Sequence, residues 1–373
     1  MGNFDNFPEV ITKIIASEKN WIETLAVEQL YNVSKLEGME LAVGLPDLHP
    51  GKTYPIGAAF VSREWIYPQL VGNDIGCGMG LWETELNAEK LKLDKWEGQL
   101  DDLDSEWNGD HAAWLRKFEL NATSFDNAFG TIGGGNHFAE LQKIEAVIDQ
   151  SEFDSLRLNN KRLFLLVHSG SRGLGQSILN SCGKMGLEEQ SSEAKSYIDK
   201  HDIAVRWAEA NRALIADRFL TCLQSEGRKV LDVNHNTVCH IQIEGNSRWL
   251  HRKGATPSDE GFVIIPGSRG ALSYLVKPIG DQKNNAYSLA HGAGRKWSRT
   301  SAKAKLAKYR VNDFTRTKWG SRVICEDKNL IFEEAPQAYK NIDNVVGDLV
   351  DEGLIKIIAI LSPVLTYKTR RIE

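Results

Sequence analysis

RLFLLVHSGSRGLG, residues 162–175, opens with an apolar, strand-like run and passes at once into a cluster of Gly, Ser and Arg around His168. A buried strand that ends on polar, glycine-rich sequence predicts a sheet whose edge carries chemistry. Three further runs have strand character: KVLDVNH (229–235), CHIQIEG (239–245) and GFVIIPG (261–267). Three of the four end at, or run straight into, a Gly, His or Asn cluster, where a rigid sheet can aim side chains from the following loops. Helical periodicity adds a helix over residues 21–36, with Leu25, Val27, Leu30, Tyr31 and Val33 as its apolar face. A second helix is predicted over residues 194–223, carrying Tyr197, Ile203, Val205, Trp207, Ala210, Leu214, Ile215 and Phe219. The most polar segment, residues 90–110, is expected to lie outside the core. No linker, repeat or low-complexity tract divides the 373 residues, so one α+β domain spanning residues 1–373 is expected.

Composition excludes several classes. Hydrophobic residues make up 42% and charged residues 25%, ordinary values for a globular enzyme. No stretch approaches the ~18 consecutive apolar residues of a membrane span. The opening MGNFDNFPEV lacks the basic and apolar regions of a signal peptide, so a cytoplasmic address is expected. The five cysteines (Cys77, Cys182, Cys222, Cys239, Cys325) form no C-x-x-C pair, which argues against a disulfide framework and a zinc ribbon. Net charge is −5, unlike a general nucleic-acid binder, yet residues 295–322 hold ten Lys/Arg against one acid, Asp313. Trp297, Tyr309, Phe314 and Trp319 interleave with them. This stretch reads either as a solvated basic helix or as a surface for single-stranded RNA, since cations neutralise phosphates and aromatic faces stack on bases.

Histidine usage is the most informative feature. Of nine histidines, five sit among Gly, Asn and Asp: His49 in PDLHPG, His137 in GGGNHF, His168 in VHSGSRGLG, His235 in VNHN and His291 in HGAGR. One such histidine alone is more often a satisfied polar residue than a ligand. Five of them at strand ends point to a crowded polar cavity, because glycine lets backbone approach a ligand closely. In VGNDIGCGMG, Asp74 and Cys77 are three apart on one glycine-rich loop. A carboxylate and a thiolate so placed can share a transition metal with imidazoles, and a thiolate can bridge two ions. The same loop also suits a glycine turn around a buried, inert cysteine. Neither a G-x-x-x-x-G-K-[ST] phosphate loop nor the K-x-D-G motif of lysine-dependent nucleotidyl transfer is present.

PDLHPG, PIGAAF, VGNDIGCGM, GTIGGGNHFAELQ, LVHSGSRGLG, VNHN, HRKGAT, IIPGSRG and HGAGRKWSR occur, in that order, over residues 46–299. In this set and order the chain resembles the RtcB-type RNA ligases, and AYKNID and PVLTYK carry the likeness towards the C-terminus. The resemblance implies a compact α+β fold with mixed sheets around a central site for two Mn²⁺ ions. It implies that Asp74, Cys77 and His137 hold one ion, and that Cys77, His168 and His235 hold the second. His291 would be the histidine that takes a guanylyl group from GTP. Contacts to the guanylate would fall on Asn136, Glu140, Ser268, Gly292 and Ala293, with Tyr339 and Lys368 as the closing Tyr and Lys. Asp47 would support the site from behind these residues.

The implied reaction joins an RNA 3′-phosphate or 2′,3′-cyclic phosphate to a 5′-hydroxyl, in RNA repair or tRNA splicing. A neutral imidazole suits the first step, being both a competent nucleophile and a good leaving group. The chain departs from the usual family pattern at Lys52-Thr53-Tyr54, at Arg269 and at Lys296-Trp297, and its tail diverges into TRRIE. Its short length resembles the subgroup associated with release factor H, which implies ribosomal RNA as a substrate and a release-factor-like or activating partner. Two other readings stay open: a metal-dependent phosphoesterase that opens cyclic phosphates without sealing, and a non-catalytic RNA-binding protein. The first needs no His291 or guanine pocket, and the second needs no metal ligands.

Overall fold

The computed structural model describes residues 10–371, so most of the N-terminal MGNFDNFPEV and the last two residues of the tail lie outside the described residues. Two mixed sheets dominate. The larger has eight strands. Its main path runs Val263–Pro266, Ser273–Pro278, Ile355–Thr369, Phe138–Val147, Arg162–Ser169, Gly78–Asn87 and Gly227–Asn234, and Arg322–Cys325 pairs in parallel with the end of Ile355–Thr369. The smaller has five, in the order Ile11–Ile14, Met39–His49, Ile56–Ser62, Asn246–Lys253 and Asn236–Ile243. The fold is therefore α+β with mixed sheets, as expected.

All four predicted strand runs are strands. Their placement matters more than their existence. Gly227–Asn234 belongs to the large sheet and Asn236–Ile243 to the small one, so the chain changes sheets at His235. The sheets share a buried cluster in which Val43, Leu45 and Val61 of one meet Ile265, Tyr274 and Val276 of the other.

The predicted 194–223 helix is found as Ser192–Cys222, capped by Ser191, whose side chain accepts from the Ala194 N–H. Ile215, Ala216 and Phe219 press it onto Leu141, Leu165 and Val167 of the large sheet. Among the described residues no helix is long and apolar enough to cross a membrane.

Three expectations need correction. The first helix is Thr24–Ser34, and of the predicted apolar face only Leu30 and Val33 are buried; Leu25, Val27 and Tyr31 are exposed. The buried stripe centres on Ala26, Leu30 and Val33, and at 100° per residue Leu25 and Val27 fall on opposite flanks of Ala26. The polar 90–110 segment does reach the core: Trp96, Leu100 and Leu103 are buried against Ile324, Leu365 and Tyr367. Trp96 sits on the short helix Leu93–Gln99, and Leu100 and Leu103 follow it in the loop, so isolated apolar residues reach the core from an acidic sequence whose average polarity conceals them. The basic 295–322 stretch is not one helix but Arg299–Leu306, a 3₁₀ turn Val311–Phe314 and the start of the Arg322–Cys325 strand. Arg295 and Arg299 pair with Glu334, and Arg322 pairs with Asp94 and Glu97.

Candidate active site and metal centre

Register in the large sheet assembles the first half of the site. Gly78 faces both Ser169 and Asn234, and Phe138 faces His168. Each of these pairs lies at the same edge of the sheet. His137, His168, Cys77 and His235 therefore form a row across four adjacent strands, at the spacing of about 4.8 Å that neighbouring strands keep. The Cys77 Sγ lies 3.4 Å from His137 Nε2 and 3.2 Å from His168 Nε2. His137 Nε2 is 2.9 Å from Asp74 Oδ2, and His168 Nε2 is 3.4 Å from His235 Nε2.

These side chains suit a transition metal. Cys77, His137 and His168 present ligand atoms all within 4.8 Å of one another and are buried. Metal bonds of about 2.0–2.3 Å at tetrahedral angles would separate sulfur and nitrogen ligands by about 3.5 Å. Asp74 joins this set through His137, and His235 joins it through His168. Burial first, then the neighbouring histidines, holds His168 and His235 well below the ordinary histidine pKa, so both are neutral with lone pairs free. The His168 Nδ1–H donates to the Asn136 carbonyl at 3.1 Å, which leaves Nε2 to face the cluster. Burial and the Asp74 charge push the Cys77 thiol well up, so a thiolate there requires a cation beside it. Burial opposes the Asp74 charge, but His137 and Arg172 hold its pKa below the usual value.

Glycine permits the packing at one place in particular. A Cβ on Gly170 would stand 2.3 Å from the Asp74 carboxylate. The neighbouring Arg172 takes a left-handed φ of 57°, donates its backbone N–H to Asp74 and reaches His137 Nδ1 with its guanidinium. Strain of that kind in a non-glycine residue is held only where surrounding contacts over-determine it.

One residue that no motif singled out ties this half together. Arg212, fully buried on the long helix, donates to Asp232, to the Gly76 and Ser169 carbonyls and to Asn234 Oδ1 at 2.7–3.0 Å. Those partners flank Cys77, His168 and His235. Asn211 beside it donates to Ser169 Oγ and the Gly170 carbonyl.

His291 stands next to this row, its ring centroid 4.8 Å from that of His235. Asp47, wholly buried, receives the His291 backbone N–H at 3.1 Å and its Nδ1 at 2.6 Å on one oxygen. A carboxylate only accepts, so Nδ1 carries a proton and, in the neutral ring, the lone pair falls on Nε2. Lys340 fixes the carboxylate by donating to the carbonyls of Pro46 and Leu48 on either side of it. Gly294 is needed here: with φ +69°, a Cβ would meet the Asp47 carbonyl at 2.3 Å.

A second group of polar residues lines the same cavity as His291. Glu140 is buried on the Phe138–Val147 strand, receives Gln142 Nε2 at 2.7 Å and pairs with the Thr366 hydroxyl; burial raises its pKa. Lys368, near the end of Ile355–Thr369, donates to the Gly135 carbonyl at 2.6 Å, and burial lowers its pKa to about 8. The Tyr339 hydroxyl donates to Glu334, while Arg295 lies over the Tyr339 ring at 5.1 Å. Burial would raise the Glu334 pKa, but Lys368 and Arg295 hold it at about 2.

Both halves open into one cavity of about 990 Å³. Of the residues singled out from the sequence, Asp74, Cys77, His168, His235 and His291 line it, as do Asn136, Glu140, Ser268, Gly292, Ala293, Tyr339 and Lys368. His137 stands just behind, against Asp74 and Cys77. His49 lines the cavity but holds Asp47's carbonyl instead of joining the row. Arg172, Arg212 and Glu334 were not anticipated. HSGSRG contains the first, whereas the other two carry no local signal.

The family model described as tRNA-splicing ligase RtcB matches residues 29–107 and 100–369. The chain is 53% identical over 362 residues to RNA-splicing ligase RtcB2 of an Escherichia coli strain, covering 95% of this chain and 94% of that protein. It is 31% identical over 428 residues to RNA-splicing ligase RtcB of Escherichia coli K12, covering 96% and 99%. A tRNA-splicing ligase RtcB of Archaeoglobus fulgidus is 29% identical over 439 residues, covering 92% and 90%.

Proposed function

Because the chain belongs to the RtcB family, we propose that it is a GTP- and Mn²⁺-dependent RNA ligase that joins a 3′-phosphate or 2′,3′-cyclic phosphate end to a 5′-hydroxyl. The observation that carries this reading is the place of His291. Its ring is held through Nδ1 by Asp47 beside His235 of the Cys/His/Asp cluster, in a cavity that a second set of polar residues also lines. A cyclic phosphoesterase would need the cluster but neither an oriented nucleophile nor the second set of polar residues.

Asp74, Cys77 and His137 would hold one Mn²⁺, and Cys77, His168 and His235 the other, supplying charge neutralisation at the reacting phosphates. The polar residues that share the cavity with His291 would take the guanine. Glu140 can accept from the guanine N1–H and amino group, and Lys368 can donate to O6, a pattern that adenine reverses. Asn136, Ser268, Gly292, Ala293 and Tyr339 line the same cavity.

In the first step His291 Nε2 attacks the α-phosphorus of GTP; an N–P bond forms and the bond to pyrophosphate breaks. Asp47 keeps the Nδ1 proton and stabilises the positive charge that develops on the ring. An oxygen of the RNA 3′-phosphate then takes the guanylyl group, and the N–P bond breaks. The RNA 5′-hydroxyl finally attacks the activated 3′-phosphorus, and GMP leaves. The short chain, like that of the subgroup associated with release factor H, motivates ribosomal RNA repair with a release-factor-like partner; sealing of tRNA halves with indifference to cut ribosomal RNA would refute that assignment.

The test is incubation with [α-³²P]GTP and MnCl₂, wild type beside His291→Ala, read on a denaturing gel. Acid-labile label on wild type alone is expected. No label on folded, Mn²⁺-loaded wild type would remove the ligase reading and promote the phosphoesterase.

A further inference from the structure

The cavity lining divides into buried and exposed residues, and the exposed ones form its mouth. Trp21 is 53% exposed and Leu25 46% exposed, on and just before the first helix. Lys52, Lys296, Arg299 and Lys305 are exposed lining residues too, with Trp297 half-buried among them. Lys305 lies over the Trp297 ring at 4.4 Å and Lys296 at 5.6 Å. Glu23 stands at this rim, and Glu334, buried beneath it, is already paired with Arg295 and Arg299.

The fold accounts for only part of this, since Trp297 packs against the cluster of Leu306, Phe314 and Ile331. Trp21 precedes the first helix and Leu25 lies off its buried stripe, and both are too exposed to contribute much to the core. Gln29 holds that helix against the mouth by a two-way contact with Gly51, donating to its carbonyl at 3.0 Å and accepting its N–H at 3.1 Å. Among the described residues, Lys52, Lys296 and Lys305 make no ion pair. In a chain of net charge −5, a rim with four cations and two tryptophans is a local exception. The volume points the same way, since about 990 Å³ is at the top of the ~300–1,000 Å³ range of small-molecule sites and leaves room beyond one nucleotide.

We propose that this mouth is a subsite for unpaired nucleotides flanking the RNA ends, with Trp21 and Trp297 as stacking platforms and Lys52, Lys296 and Lys305 as phosphate partners. It takes its substrate class from the ligase reading. Aromatic faces stack on bases released from a helix, and duplex RNA hides those faces, so the enzyme selects ends that carry single-stranded nucleotides.

The test is fluorescence anisotropy of Mn²⁺-loaded protein, without GTP, using a labelled single-stranded 12-mer with 5′-hydroxyl and 3′-phosphate ends, beside a blunt hairpin of the same composition. The single strand is expected to bind at least about tenfold tighter. Trp21→Ala and Trp297→Ala should each weaken it by roughly tenfold, Trp21→Phe should retain most of the affinity, and Lys305→Ala should flatten the salt slope by about 0.7. Tyr31→Ala, on the outer side of the same helix, controls for helix disturbance and should change nothing. Equal affinity for hairpin and single strand, or unchanged affinity in both tryptophan variants, would overturn the proposal. Selective binding by wild type that forms no guanylate adduct would support this subsite while removing the ligase reading.

Discussion

Replacing Arg212 by lysine keeps the charge but removes the fork that holds three site-bearing segments together. Arginine here serves Asp232, the Gly76 and Ser169 carbonyls and Asn234 from one planar group with no exposed surface. A lysine ammonium is a single point at the end of a stem and can satisfy about two of these four acceptors. Each buried acceptor left unpaired costs about 1–3 kcal/mol, so the variant should lose about 2–6 kcal/mol. With an unfolding entropy of ~2.1 cal/mol/K per residue, a chain of 373 residues loses about 3–8 °C in Tm for that penalty. The loosened segments precede Cys77, follow His168 and precede His235. Mn²⁺ affinity should therefore fall about 10–100-fold, the usual effect of losing support behind metal ligands. Scanning fluorimetry of metal-free protein gives the first quantity and calorimetric Mn²⁺ titration the second. A Tm within 1 °C of wild type together with affinity within about twofold would show that the segments hold themselves and that the clamp is redundant.

Three further outcomes are expected. Asp47→Asn removes the charged acceptor of His291 Nδ1, so guanylylation should slow by about 10–150-fold with Mn²⁺ content unchanged; a full labelling rate would separate Asp47 from the nucleophile's tautomer. Burial lowers the pKa of His49 to about 4 and of His251 to about 3. The unfolded chain, with histidine near 6.5, then binds more protons than the folded one as pH falls from about 6.5 to 4, so metal-free protein should lose up to about 1.4 kcal/mol per histidine per pH unit. A Tm unchanged between pH 7.5 and 5 would contradict neutral burial of these rings. Trp96→Ala should cost about 3–5 kcal/mol, read as a Tm drop of about 4–6 °C, because Trp96 packs in the core beneath an acidic surface; no change would return residues 90–110 to the exterior.

Much of the site was legible in the motifs. Glycine or asparagine beside histidine at strand ends marked His168, His235 and His291, and the spacing of Asp74 and Cys77 marked their shared loop. The structure gathers these residues into one cavity. Less legible were faces and partners. Leu25 and Tyr31 read as core because they are apolar, but a helix of eleven residues has one buried stripe and they lie off it. Trp96, Leu100 and Leu103 were obscured by the acids around them. Glu334 has no motif, and its role follows from Arg295, Arg299 and Tyr339 converging on it.

The sequence by itself determined which residues can do chemistry and that they sit at the ends of strands. Those are local properties, encoded in side-chain type, glycine placement and periodicity within a few positions. Only the tertiary structure decided that His137, His168, Cys77 and His235 form a row, because that depends on the pairing register of four strands distant in sequence. It also decided that Arg212 reaches three of their loops from a helix, and that Asp47 and His291, 244 residues apart, are joined by a hydrogen bond. Such contacts form only when the whole chain buries its apolar surface and leaves these polar groups no other partners.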